Sequence, residues 1–167
     1  MNAITSTIET EAIFSENEQH RYLLKKTWDR KLPTCTVITM YPHLDGILSL
    51  DLTTILILNQ LSYENEYGSV YLVNLFSNIK TPKNLKHIKE PYDKHTDIHL
   101  MKAVSESEKV ILAYGAYAKR PGVEKRVDQV MEMLKSHKKK VKKLINPETN
   151  EIMHPLNPKA RQKWTVK

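Results

Sequence analysis

VYLVNLF, residues 70–76, is the stretch on which the fold turns. Its apolar residues do not alternate with polar ones, and seven residues are few for a helix. It therefore reads as a strand covered on both faces. TCTVITM at 34–40 has the same character, and KVILAY at 109–114 and VKKLI at 141–145 supply two more strands. Helical segments separate them. Asp51 is placed to cap a helix reaching about Asn65, with Leu52, Ile55, Leu56, Leu58 and Leu61 as its apolar surface. His95–Ser105 is predicted as a second helix with Ile98, Met101 and Val104 inward. Gly122–His137 is predicted as a third, with Val123, Val127, Val130, Met131 and Leu134 inward. Strand and helix alternate three times and close on a strand. That order predicts an α/β fold of three layers, αβα, around a central, mainly parallel four-stranded sheet. Ala12–Ser15 and Arg21–Trp28 (RYLLKKTW) are expected to form an N-terminal hairpin at its edge. Residues 1–17 read as a polar leader and residues 18–167 as one domain.

The formal net charge of +7 is unevenly spread. Residues 1–118 carry 12 Lys/Arg against 14 Asp/Glu, whereas residues 119–167 carry 14 against 5. A basic segment of that density favours a polyanionic partner over a merely solvated face. The one cysteine, Cys35, rules out an internal disulfide and argues against a thiolate zinc site, which suits a reducing, cytoplasmic setting. Met1–Thr7 has neither a basic region nor an apolar run, so no signal peptide is expected, and no stretch has the length of a membrane span. The four glycines, Gly46, Gly68, Gly115 and Gly122, form no phosphate-cradling motif, and there is no Gly-x-Ser-x-Gly elbow. His95 and His99 are spaced i,i+4 as two metal ligands could be. No carboxylate motif accompanies them, so they read as a helix surface, and neither a metal nor a cofactor is expected.

In parallel sheets ligands bind beyond the carboxyl ends of the strands. The segments to search are therefore 41–46, 74–78, 115–120 and 154–158. Asn74 is a polar residue near the end of an apolar strand. Its amide must be satisfied, because a buried unpaired polar group costs about 1–3 kcal/mol. It either pins a neighbouring loop or offers one donor and one acceptor to a ligand. His154 opens HPLNP at 154–158. It is either a surface turn residue or an electrophile beside a developing oxyanion. VILAYGAYAKR at 110–120 ends in a Gly turn and two cations. Gly115 permits close backbone approach, and Lys119 and Arg120 face either phosphates or solvent.

These blocks resemble a known family. RYLLKKTW, Pro42 followed by Asp51 in DLTT, VNLFSNIKTPKNL, the Pro91 and Asp97 region, VILAYG and the terminal HPL are together similar to domain-of-unknown-function family 1643, a mostly bacterial group, across most of the chain. More locally, TMYPH, VNLFSNI, VILAYGAYAKR and HPLNP resemble the active-site blocks of the uracil-DNA glycosylase superfamily. That resemblance implies a DNA-repair enzyme that flips uracil out of DNA and hydrolyses its glycosidic bond to leave an abasic site. It implies His154 as the catalytic residue and Tyr41, Pro42, His43 and Asn74 as the base pocket. It implies Gly115, Lys119, Arg120, Pro155, Leu156 and Asn157 on the DNA. The partner is uracil-containing DNA, single- or double-stranded, and the protein is expected to be a monomer, with room for a protein inhibitor or replication partner.

Two positions depart from the superfamily pattern. Tyr41 stands where many members place an Asp, Asn or Glu to orient water, and a phenol is a poor proton acceptor near neutral pH. Asp45 or Asp51 could take that task, although Asp51 is equally explained as a helix cap. Pro158 stands where a bulky wedge is usual, leaving Leu156 as the substitute. The alternatives are a weak or inactive glycosylase-like DNA-binding protein and an interaction module for another DNA-processing protein.

Overall fold

The computed structural model describes residues 1–43, 46–80 and 88–167. Asp45 and the Pro82 segment lie outside them. The architecture is α/β, with one six-stranded mixed sheet. The strands are β1 (Glu9–Phe14), β2 (Arg21–Thr27), β3 (Thr34–Thr39), β4 (Ser69–Asn74), β5 (Lys109–Leu112) and β6 (Val141–Lys143), and the helices α1 (Leu52–Glu64), α2 (Lys94–Glu106), α3 (Glu124–Met133) and α4 (Pro158–Gln162). Across the sheet the order is β1-β2-β4-β3-β5-β6.

The apolar runs behave as their composition demands. β4 is buried at every position, and β3 at all but its first. β3 pairs in parallel with β4 on one side and β5 on the other, and β5 pairs in parallel with β6. The hairpin does more than decorate the edge. β2 pairs antiparallel with β4, and β1 pairs antiparallel with β2, so the sheet has six strands where the sequence predicts four and a hairpin. β1 begins at Glu9, inside the expected leader, because Glu9–Ile13 finds partners along β2. One core, with Leu100, Val104, Val130 and Leu134, joins α2 and α3 to one face of the sheet. The other, with Ile57, Leu61 and Ala160, joins α1 and α4 to the opposite face.

Two helices bury only part of the faces predicted for them: Leu58, Leu61 and Val104 are buried and Met101 packs on the core, as expected. α1 buries Thr54, Ile57, Leu58 and Leu61, leaving Leu52 and Ile55 exposed. α2 buries Thr96, Leu100, Ala103 and Val104, leaving Ile98 exposed. α1 is apolar almost all round, so its periodicity does not choose a face. The third predicted helix is divided: α3 stops at Met133 and Leu134–His137 tightens into a 3₁₀ turn. Among the described residues no helix is long and apolar enough to cross a membrane.

Candidate active site

The chain enters β3, crosses through α1 to β4 on one side, then through α2 to β5 on the other. The direction of winding reverses at β3, and a crevice must open where the connections part. A cavity of about 450 Å³ lies there, walled by Thr39, Tyr41, Asn74, Tyr114, Gly115 and His154. That volume is in the range of small-molecule sites.

The β3–β4 register builds the first wall. Thr39 stands opposite Asn74. Asn74 Nδ2 donates to Thr39 Oγ1 at 2.7 Å. Asn74 is only 4% exposed, and its Oδ1 is buried with no hydrogen-bond partner among the described residues. One N–H and one carbonyl oxygen of the amide are thus left for a ligand. The strand end is held from behind by Arg126, a buried cation that sequence reading passed over on α3. Its Nε donates to the Leu75 carbonyl at 2.8 Å, its Nη2 to Asp97 Oδ1 at 2.5 Å, and its guanidinium lies 3.9 Å over the Tyr92 ring.

The second wall is the turn at 154–157. Asn157 N–H donates to the His154 carbonyl at 2.8 Å, closing the turn. The Leu156 N–H donates to His154 Nδ1 at 3.2 Å. An acceptor at Nδ1 leaves Nε2 as the N–H of a neutral ring. Burial, reinforced by the His43 imidazole and opposed by Asp51, pulls the His154 pKa down to about 4. Gly115 is what admits this turn. Its φ is +76°, and an added Cβ would sit 2.9 Å from His154 Cβ and 3.3 Å from the His154 nitrogen. The close approach predicted at Gly115 is therefore to the His154 turn.

The first loop completes the enclosure. Tyr41 and His43 both line it, their ring centroids 5.8 Å apart. Pro42 is buried and stands outside the cavity wall. Arg21, 3% exposed and also in the wall, donates from Nη1 to the His43 carbonyl at 3.3 Å. In sequence Arg21 is only a cation opening the apolar run RYLL, a position that reads as surface. Asp51 lines the cavity while capping α1: its Oδ1 accepts the Thr54 N–H and its Oδ2 the Thr54 hydroxyl, both at 3.0 Å.

The rim holds most of the residues expected on DNA. Leu156 is 40% exposed and borders the cavity, whereas Pro158 opens α4. Asn157 borders the cavity too, but its side-chain oxygen caps α4 by accepting the Lys159 N–H at 2.9 Å. Lys119 pairs with the cavity-lining Glu151 at 2.5 Å and holds that carboxyl below its ordinary range. The Arg120 guanidinium lies 3.7 Å over Tyr117, a half-exposed ring at the mouth. Pro155 faces a separate groove between α1 and the C-terminal segment.

Other candidates fall elsewhere. His95 and His99 flank Tyr22, with ring centroids 5.8 and 5.3 Å away, and no group of three or more metal-ligating side chains occurs among the described residues. Burial pushes the Cys35 thiol up to about 12, which disqualifies it as a nucleophile at neutral pH.

Residues 21–156 match the family described as protein of unknown function (DUF1643). The chain belongs to DUF1643. That span takes in all the cavity-lining residues but Asn157, from Arg21 on β2 to Leu156 in the last turn. No curated protein and no solved structure matches the chain.

Proposed function

We propose that this DUF1643 protein is a monofunctional DNA glycosylase that extrudes uracil from DNA and hydrolyses its N-glycosidic bond. The observation that carries the reading is the shared cavity of Asn74 and His154 at the carboxyl ends of the parallel strands. The four parallel strands β4-β3-β5-β6, with helices on both faces, are consistent with a uracil-DNA glycosylase-like core to which a hairpin has been added.

The Asn74 amide suits a uracil edge. With Nδ2 anchored on Thr39, its second N–H donates to O4 and Oδ1 accepts N3–H. Cytosine would bring an amino group against the Asn74 N–H. The Tyr41 and His43 rings crowd the side on which thymine carries its methyl. In hydrolysis the C1′–N1 bond breaks and its electron pair leaves with the base, spreading onto O2. Neutral His154 donates Nε2–H to that oxygen without giving up a proton, the preorganised stabilisation that often contributes most. Water adds to C1′ and passes its proton to Asp51, whose carboxylate needs no side chain at position 41. Flipping the nucleotide costs a few kcal/mol of unstacking, least in single strands and mismatches.

The deciding experiment is alkaline cleavage of a labelled uracil oligonucleotide, single- and double-stranded, after incubation with the protein. Strand scission at the uracil is expected. Intact substrate in both forms refutes the enzymatic reading. One observation favours a second reading, a protein that binds a flipped base without cleaving it: Tyr41 lines the wall at the position where the glycosylase resemblance would put an Asp, Asn or Glu. Salt-sensitive DNA binding without base release would identify that case.

A further inference from the structure

Outside the cavity, on the far side of the 154–156 turn, runs a second hollow of about 320 Å³. One bank is α1, with Leu56, Asn59 and Tyr63; the other is the C-terminal segment, with Pro155, Arg161 and Trp164. The two hollows share a wall: His154 and Leu156 line the cavity, and Pro155 between them lines the groove. The geometry points to this groove as the track for the single DNA strand flanking the extruded nucleotide. This rests on the proposal that the cavity takes a base from DNA.

Three features select a nucleic-acid strand as occupant. First, the groove offers aromatic faces. Tyr63 is 89% exposed, and Trp164 is anchored against the core while bordering the groove. Bases stack on such rings without regard to sequence. Second, the charge is complementary. Arg161 borders the groove and Lys163 is its near neighbour in sequence; both are exposed, and neither has an ion pair among the described residues. Lys159 is neutralised by Glu148, and Glu64 closes the far end of α1. Third, the length fits. From Leu56 to Tyr63, at 1.5 Å per residue, the helix presents about 10 Å, room for roughly two to three nucleotides at 3.4 Å spacing. The outward face of α1, which amphipathicity does not explain, thereby gains an occupant.

The test uses the full chain and a fluorescein-labelled, uracil-free oligothymidylate of twelve nucleotides, titrated by anisotropy at several salt concentrations. Wild-type protein should bind with an affinity that falls steeply with salt. Tyr63→Ala and Arg161→Ala, both at exposed positions that leave the fold intact, should each weaken binding by about 5- to 100-fold. Arg161→Ala should also flatten the log–log salt slope by about 0.7. Lys139→Ala, exposed just before β6 at the end of the sheet remote from the cavity, should bind this strand as wild type does. The inference is overturned if Tyr63→Ala and Arg161→Ala bind as wild type, or if wild type does not bind the strand even at 50 mM salt. Base release plays no part in the readout. A protein without glycosylase activity that loses binding in these variants keeps the groove and drops the enzyme; an active one that keeps binding in them does the reverse.

Discussion

Gly115→Ala should do damage out of proportion to one methyl group. The residue sits at φ +76° and ψ −179°, a region essentially reserved for glycine, where an L side chain costs about 1–3 kcal/mol. The new Cβ would also stand 2.9 Å from His154 Cβ, inside the roughly 3.5–4.0 Å of a relaxed carbon contact. Gly115 or the His154 turn must therefore move by about half an ångström or more. Gly122→Ala is the matched control, because Gly122 also has positive φ, +88°, but an added Cβ there meets nothing within 4 Å. The control should pay backbone strain alone, about 1–2 kcal/mol. At about 2–4 °C per kcal/mol for a chain of this size, Gly115→Ala should melt roughly 5–10 °C below wild type, and further below it than the control. Displacement should re-expose the imidazole, so the His154 pKa, followed by NMR, should climb from about 4 toward its ordinary value of 6.5 in Gly115→Ala and stay low in Gly122→Ala. Base release should drop by about a hundredfold, the scale of a misplaced catalytic group. Equal melting points and unchanged His154 titration in the two variants would falsify the claim that Gly115 seats the turn.

Base release should show no inflection near pH 6.5 and should fall only as pH approaches 4, where a proton on His154 Nδ1 displaces the Leu156 N–H that seats the ring; a midpoint near 6.5 would mean the ring is not desolvated. The same shift acts on stability: between pH 6.5 and 4 the unfolded chain binds the extra proton, so this contribution weakens as pH falls, and urea titrations of His154→Gln should show a shallower acid loss. Asn74→Asp removes the donor to O4 and should cost about 10²–10³ in turnover, measured under single-turnover conditions; retention of full rate would show that the amide does not read the base. Asp51→Asn keeps a good helix cap, so its melting point should hold while turnover collapses; a parallel loss of both would reduce Asp51 to its capping role.

The parallel strands were legible because burial on both faces leaves an unmistakable composition, and the ends of VYLVNLF and VILAYG put Asn74 and Gly115 at the carboxyl edge of the sheet, where the cavity lies. What could not be read was which way the helices turned. Leu52 and Ile55 look like core residues in LTTILILNQL, but a helix apolar on nearly every side is oriented by its neighbours, here β3 and β4 through Ile57 and Leu61. Arg126 and Arg21 were missed for a related reason. A lone Arg in a polar helix, or at the start of a strand, reads as surface until the fold closes over it. Arg126 buys its burial with Asp97, the Leu75 carbonyl and the Tyr92 face, three partners drawn from distant parts of the chain.

The basic C-terminal third shows how charge in sequence becomes charge in space. Its densest run, Lys138–Lys140, precedes β6, and the Lys140 carbonyl accepts the Val110 N–H at the start of β5. Lys140 Nζ also reaches the Ser107 carbonyl at 2.7 Å, beside the entry to β5. The cavity opens at the other end of that strand, beyond Tyr114. A strand engaged at His154 therefore lies a full strand length from the lysine run, more than a Debye length at physiological salt, where screening removes most of the attraction. Lys119 and Arg120, next to the cavity mouth, and Arg161, along the groove, are the cations that the proposed DNA path would bring nearest its phosphates. Charge reversal at Lys139 should consequently leave oligonucleotide affinity within about twofold at 150 mM salt, while Lys119→Glu should weaken it several-fold and reduce the salt slope. If the two reversals weaken binding equally, the DNA does not enter at the carboxyl ends of the strands, and the cavity is not where it is read.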